Sequence, residues 1–249
     1  MKAANAAIRG RQPLMKLSAH ACAFMVVAGL MMATYDLSLA GAAAGQNAAT
    51  GTLSGVVRLT AAKGSSTAST YDRRSVGPRA KALAEAGNVI VFFEGVSAPG
   101  GLKATPAAIV QKAEQFVPHV IAVTAGSVVD FPNQDPFFHN VFSLSKPATF
   151  DLGRFPPGSS RARTFSRPGL VKVYCEIHSH MRAVARVFAH PWFTMPDREG
   201  AFRIEGVPVG EHAVVAWHER MGERRDRVTI RPGATTTITF TLPVPASAL

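Results

Sequence analysis

Residues Gly169 to Met181 read GLVKVYCEIHSHM, and this stretch decides the fold. Val171, Val173 and Cys175 recur with period two, with Lys172 and Tyr174 between them. That is the pattern of a strand buried on one face, so Cys175 is expected to point inward at the strand's end. His178 follows three residues later and Met181 three after that. Met181, Ala183, Ala185 and Val187 then alternate inward again, which places Arg182 and Arg186 on the outward face of the next strand. A tight loop between two such strands can gather a thiolate, an imidazole and a thioether around one point.

Upstream, Val120–Thr124, Val128–Phe131, Asn140–Leu144 and Ala162–Phe165 are short apolar segments separated by turn residues. Their spacing predicts a β-sandwich. Pro132-Asn133-Gln134-Asp135-Pro136 is a strong breaker, and His139-Asn140-Val141-Phe142-Ser143 opens the strand after it. Further out, Gly51–Thr60 and Asn88–Glu94 read as strands, and Ala61–Gly87 as a long loop with a helical turn near 79–86. Downstream, Gly200–Glu205, Ala213–Trp217 and Arg227–Ile230 are predicted strands, with Gly206–Gly210 and Arg231–Gly233 as turns. The last strand alternates over Thr235–Leu242, with Thr236, Ile238, Phe240 and Leu242 on one face. The fold class is therefore all-β, with no long amphipathic helix and no glycine-rich phosphate loop.

Composition narrows the classes. Of 249 residues 47% are hydrophobic and 17% charged, too apolar for a disordered chain. With 21 Gly and 17 Pro it is no long coiled coil, and with two Cys, Cys22 and Cys175, no disulfide scaffold. Lys2, Arg9, Arg11 and Lys16 precede an apolar run over residues 21–33, and small residues follow at Ser38-Leu39-Ala40 and Ala42-Ala43-Ala44. This is the arrangement of a secretory signal peptide spanning 1–44, with export to the periplasm and no membrane attachment after cleavage. Cleavage discards Cys22 and lowers the net charge from +11 to +8 (23 basic and 15 acidic residues). The basic surplus is spread thinly with no aromatic-interleaved stripe, which argues against a nucleic-acid partner. Cys175 remains as a lone thiol in an oxidising compartment, where a use for it is expected.

Soft thiolate and thioether sulfurs with imidazole nitrogens suit copper, and Cys-His₂ with a weak Met is the blue-copper set. The second imidazole has to come from elsewhere, and His139 is the candidate. A zinc finger or ribbon would bring more cysteines, and a dinuclear copper centre a second Cys in the loop. A Cys175–His178 nucleophile would need a further orienting group and an oxyanion hole, neither of which is evident. A buried inert Cys with exposed histidines is the bland alternative.

The stretches VPHVIAVTAGSVVDFPNQD, HNVFS and PGLVKVYCEIHSHM, within 109–190, resemble a cupredoxin of the plastocyanin and amicyanin kind, a Greek-key sandwich. The short C-x-x-H-x-x-M loop is similar to that of amicyanin. The resemblance implies one type 1 copper held by His139, Cys175 and His178 with Met181 as axial ligand. It also implies that Asn140 ties the two ligand loops together. The flanks, 51–95 and 194–244, resemble a carboxypeptidase regulatory-like domain, a small antiparallel sandwich here split by the insertion. The whole arrangement is similar to plastocyanin-like methylamine utilization proteins. The function so implied is outer-sphere transfer of single electrons between redox protein partners, by a monomer that is not itself an enzyme, with His178 as the exit. The alternative is a copper-binding or accessory module for a partner or carbohydrate, without electron transfer. His180 is expected to point outward, His119 to be a surface or packing residue, and His190, His212 and His218 to lack metal-ligand company. Phe137 and Phe138 are expected to shield the site or form an apolar rim.

Overall fold

The structure is a computed structural model, and residues 49–61, 85–98 and 101–244 are described. The signal peptide, Cys22 and nearly all of the 61–87 segment lie outside the described residues, apart from a turn at Glu85–Asn88. Among the described residues no helix is long and apolar enough to cross a membrane.

The chain forms strands β1 (Thr50–Ala61), β2 (Ile90–Glu94), β3 (Ala107–Ala108), β4 (Val110–Lys112), β5 (Gln115–Val117), β6 (Val120–Thr124), β7 (Ser127–Pro132), β8 (His139–Ser145) and β9 (Ala148–Phe155). They continue as β10 (Ser160–Phe165), β11 (Gly169–Tyr174), β12 (Arg182–Phe188), β13 (Phe193–Thr194), β14 (Ala201–Pro208), β15 (Gly210–His218), β16 (Gly222–Ile230) and β17 (Thr235–Val244). The all-β class is as expected. Four sheets carry the architecture, in the orders β14-β1-β17, β13-β2-β15-β16, β6-β12-β11-β8-β9 and β10-β7-β3, and β4-β5 is a separate hairpin.

Three apolar clusters hold these sheets face to face. Leu53, Phe93, Phe202, Val214, Ile230 and Phe240 lie between the first two sheets. Phe131, Val141, Phe150, Phe165, Val173 and Ala185 lie between the last two. Ile90, Phe92, Val120, Phe188 and Val215 form a third cluster that joins the second sheet to the third. Strands in the middle of the stack are thus buried on both faces. In β2, Val91 and Phe93 turn to one core while Ile90 and Phe92 turn to the other, which is why that strand reads as an unbroken apolar run.

The third cluster corrects one expectation. Alternation turns Arg186 outward, but most of that face of β12 is covered by the second sheet. The Arg186 guanidinium lies 4.3 Å from the Phe92 ring, 5.2 Å from Trp217 and 5.7 Å from Phe188. Its aliphatic stem allows it to sit over apolar surface, and burial lowers its pKa, opposed by the nearby Glu223 and Glu94 carboxylates. Other differences are local. Pairing of Thr50 with Pro208 carries β14 through the expected turn at 206–210. β1 runs parallel to β17 over ten residues, so the outer sheet is mixed rather than wholly antiparallel. A parallel pair needs a long crossover, and the rest of the chain supplies it. β9 was not expected, because Asp151, Gly153 and Arg154 interrupt its apolar pattern; β3, β4, β5 and β13 are too short for any period. Gly55 permits the close packing of β1, since a Cβ there would meet Ile238 O at 2.1 Å and the Phe202 ring at 2.8 Å.

Candidate metal centre

His139, Cys175 and His178 converge at one end of the β6-β12-β11-β8-β9 sheet, and Met181 closes the loop beside them. β8 begins at His139, β11 ends one residue before Cys175, and β12 starts one residue after Met181. Pairing of Tyr174 with Phe142 sets β8 beside β11. The ligand loop is short and closed by its own backbone: Met181 N–H donates to His178 O at 2.9 Å and Cys175 N–H to Met181 O at 3.3 Å.

His139, Cys175 and His178 each direct one donor atom to a common point, all within 4.8 Å of one another. Cys175 Sγ is 3.7 Å from His139 Nδ1 and 4.0 Å from His178 Nδ1, and the two Nδ1 atoms are 3.1 Å apart. His139 is fully buried and Cys175 is 3% exposed. Met181 is buried in the same core. Three bare donor atoms this close in an apolar end cap repel one another unless a proton or a cation lies between them. The donor set, one cysteine sulfur and two imidazole nitrogens, is soft and fits a copper ion.

The surroundings hold these groups in place. Asn140 Nδ2 donates to Asp151 Oδ1 at 2.7 Å, and Asn140 Oδ1 accepts from Glu176 N–H in the ligand loop at 3.2 Å. The Phe137 ring lies 5.2 Å from His139 and 5.4 Å from His178, edge-on or tilted. Phe138 is exposed. His180 is exposed and outside the cluster, with Nε2–H donating to Glu114 O at 3.1 Å.

Asp135 is the neighbour that sequence reading passed over as part of a turn. It is 6% exposed and accepts from His139 Nε2–H at 2.8 Å. Burial alone would raise its pKa. The Glu114 amide, His139 and the Ala113 amide outweigh that and hold it below the ordinary carboxylate value. The available signal was a carboxylate four residues before a candidate ligand, inside a Pro-bounded turn. The other histidines among the described residues lie elsewhere. His119 Nε2 is hydrogen-bonded to Glu219 at 2.7 Å, His212 donates to Pro208 O at 2.8 Å, His190 stacks on Trp192, and His218 meets Glu85 at 3.1 Å.

No family model matches this sequence, and no curated protein matches it. Among solved structures, a Cu-containing nitrite reductase from Thermus scotoductus SA-01 aligns at 24% identity and TM-score 0.33, over 39% of this chain and 25% of that one. A purple cupredoxin from Nitrosopumilus maritimus aligns at 21% identity and TM-score 0.30, over 33% of this chain and 99% of that one. A Cu(I) single-site mutant of amicyanin aligns at 16% identity and TM-score 0.32, over 39% of this chain and 98% of that one. This chain spans only a quarter of the nitrite reductase.

Proposed function

We propose that this protein is an exported cupredoxin that holds one type 1 copper and passes single electrons between redox protein partners. The observation that carries the reading is the meeting of Cys175 Sγ with the Nδ1 atoms of His139 and His178 in a buried end of the sandwich. His139, Cys175 and His178 are the strong ligands in this reading, and Met181 is the weak one. A copper ion held there supplies one-electron chemistry, because this donor set suits both of its common oxidation states.

The chain's own residues do the rest. Two strand ends and a backbone-closed loop hold the donors, so a change of charge at the site moves little protein. Phe137 and the apolar core keep water from the donors. His178 is less buried than His139 and is the route by which an electron leaves. The β14-β1-β17 and β13-β2-β15-β16 sheets are a carboxypeptidase regulatory-like platform, and the protein acts in the periplasm as a monomeric carrier rather than as an enzyme.

Adding Cu(II) to the purified protein tests this. An intense visible thiolate-to-copper band is expected. Cys175→Ser abolishes it, and Met181→Leu keeps the colour while shifting the potential. A band that survives in Cys175→Ser refutes the ligand assignment. A blue protein that gives no reversible voltammetric wave supports a copper-holding accessory module instead.

A further inference from the structure

We propose that Asp135 is a positioning residue for this centre: it selects which nitrogen of His139 is offered to the metal and places a fixed negative charge behind that ligand. The inference rests on the copper reading and deepens it.

A carboxylate oxygen only accepts, so the 2.8 Å contact between Asp135 Oδ2 and His139 Nε2 puts the proton on Nε2. In the neutral ring Nδ1 then keeps its lone pair, and Nδ1 is the atom facing Cys175 Sγ at 3.7 Å and His178 Nδ1 at 3.1 Å. The second nitrogen of a ligating imidazole decides both tautomer and ring orientation.

Asp135 is itself held from the far side by a device with a cost. Ala113 N–H donates to Oδ1 at 2.6 Å and Glu114 N–H to Oδ2 at 3.0 Å. These two residues are the turn between β4 and β5, and both sit at positive φ, 53° and 54°. Two-residue hairpin turns of this kind favour Asn-Gly because side chains resist that conformation. A non-glycine residue held there is strained, because its Cβ crowds the neighbouring backbone. Here the strained turn aims two amides at one buried carboxylate, a small anion nest. The same turn reaches the ligand loop, since Glu114 O accepts from His180. The Asp135 backbone is fixed too: its N–H donates to Asn133 Oδ1 at 3.0 Å, and Asn133 Nδ2 donates to Phe137 O at 2.8 Å. The β4-β5 hairpin is thus a brace that runs through Asp135 to His139.

The consequence is chemical as well as geometric. A carboxylate behind an imidazole makes it a stronger donor, and its charge favours the more positive oxidation state of a bound ion. Removing the charge therefore raises the reduction potential and weakens Cu(II) binding.

The test starts with the metal-free protein, labelled with ¹⁵N. Two-bond ¹H–¹⁵N correlations are expected to show His139 protonated at Nε2 in the wild type and in Asp135→Asn, whose amide oxygen still accepts. Mixed tautomers are expected in Asp135→Ala. Competition titration with Cu(II) should then show about 10- to 100-fold weaker binding in Asp135→Ala, and both variants should have potentials above wild type. A wild-type His139 protonated at Nδ1 overturns the proposal without any variant having to fold. So does an Asp135→Asn protein whose potential and Cu(II) affinity equal those of the wild type. If the wild type takes up no copper while His139 is protonated at Nε2, the copper reading fails and the tautomer assignment stands.

Discussion

Two buried histidines make the same first bond and differ in the second. His139, at the candidate metal centre, gives Nε2–H to Asp135 at 2.8 Å. His218, at the end of β15 in the neighbouring sheet, gives Nε2–H to Glu85 at 3.1 Å. Both are almost fully buried. At His218 the other nitrogen is satisfied by the chain, since Nδ1 accepts from the Arg220 and Met221 amides at 3.1 and 3.3 Å. At His139 Nδ1 faces only other donors, a sulfur and a second imidazole. Burial with a carboxylate partner therefore does not mark a site. What marks it is a buried nitrogen that the backbone leaves unsatisfied, at a cost that only a bound ion or a proton removes.

The largest expected difference between the two is in metal binding. His139→Ala should lose the blue band and tight Cu(II) uptake outright, while His218→Ala should keep both. Equilibrium dialysis and the visible spectrum decide it, and equal loss in the two variants would dissolve the distinction drawn above. A smaller effect is expected in stability. His218→Ala leaves the Glu85 carboxylate without one of its partners, and Glu85, 18% exposed, also pairs with Arg220. That partial compensation sets the loss at about 2 kcal/mol, measured by urea unfolding of the metal-free protein. An unchanged midpoint would mean that this pair contributes no stability.

Only one of these two histidines was legible as special in the sequence. His139 opens a strand after a Pro-bounded turn, and Cys175, His178 and Met181 stand at fixed intervals on a strand-loop-strand unit whose period-two pattern is local. The faces of β11 follow that pattern, with Val171, Val173 and Cys175 buried and Lys172 exposed. Asp135 stands only four residues before His139 but is hidden in a Pro-bounded turn, while the groups that hold Asp135 and the partner of His218 come from far along the chain. Ala113 and Asp135 are 22 residues apart, and Glu85 and His218 are 133 apart. Arg186 was misread for the same reason. Alternation assigns a residue to one face of a strand, but it does not say that a second sheet covers that face, as Phe92 and Trp217 do here.

The finest distinction is in how the second pair responds to pH. Burial lowers the pKa of His218 below its ordinary 6.5, and Glu85 opposes this without reversing it. The unfolded chain therefore takes up a proton at His218 before the native protein does. Where the unfolded state binds more protons, stability rises with pH. The native state should thus lose stability as pH falls from about 7 toward 5, by at most ~1.4 kcal/mol per pH unit for one proton. His190 is shifted in the same direction by burial, so the wild-type slope contains both residues. The informative quantity is the difference between wild type and His218→Gln, both metal-free, in which the contribution of His190 cancels. Urea unfolding at several pH values should give a shallower line for His218→Gln. Parallel lines would mean that the protein does not hold His218 neutral, and that the chain's hydrogen bonds to its Nδ1 do not separate it from His139 as the geometry implies.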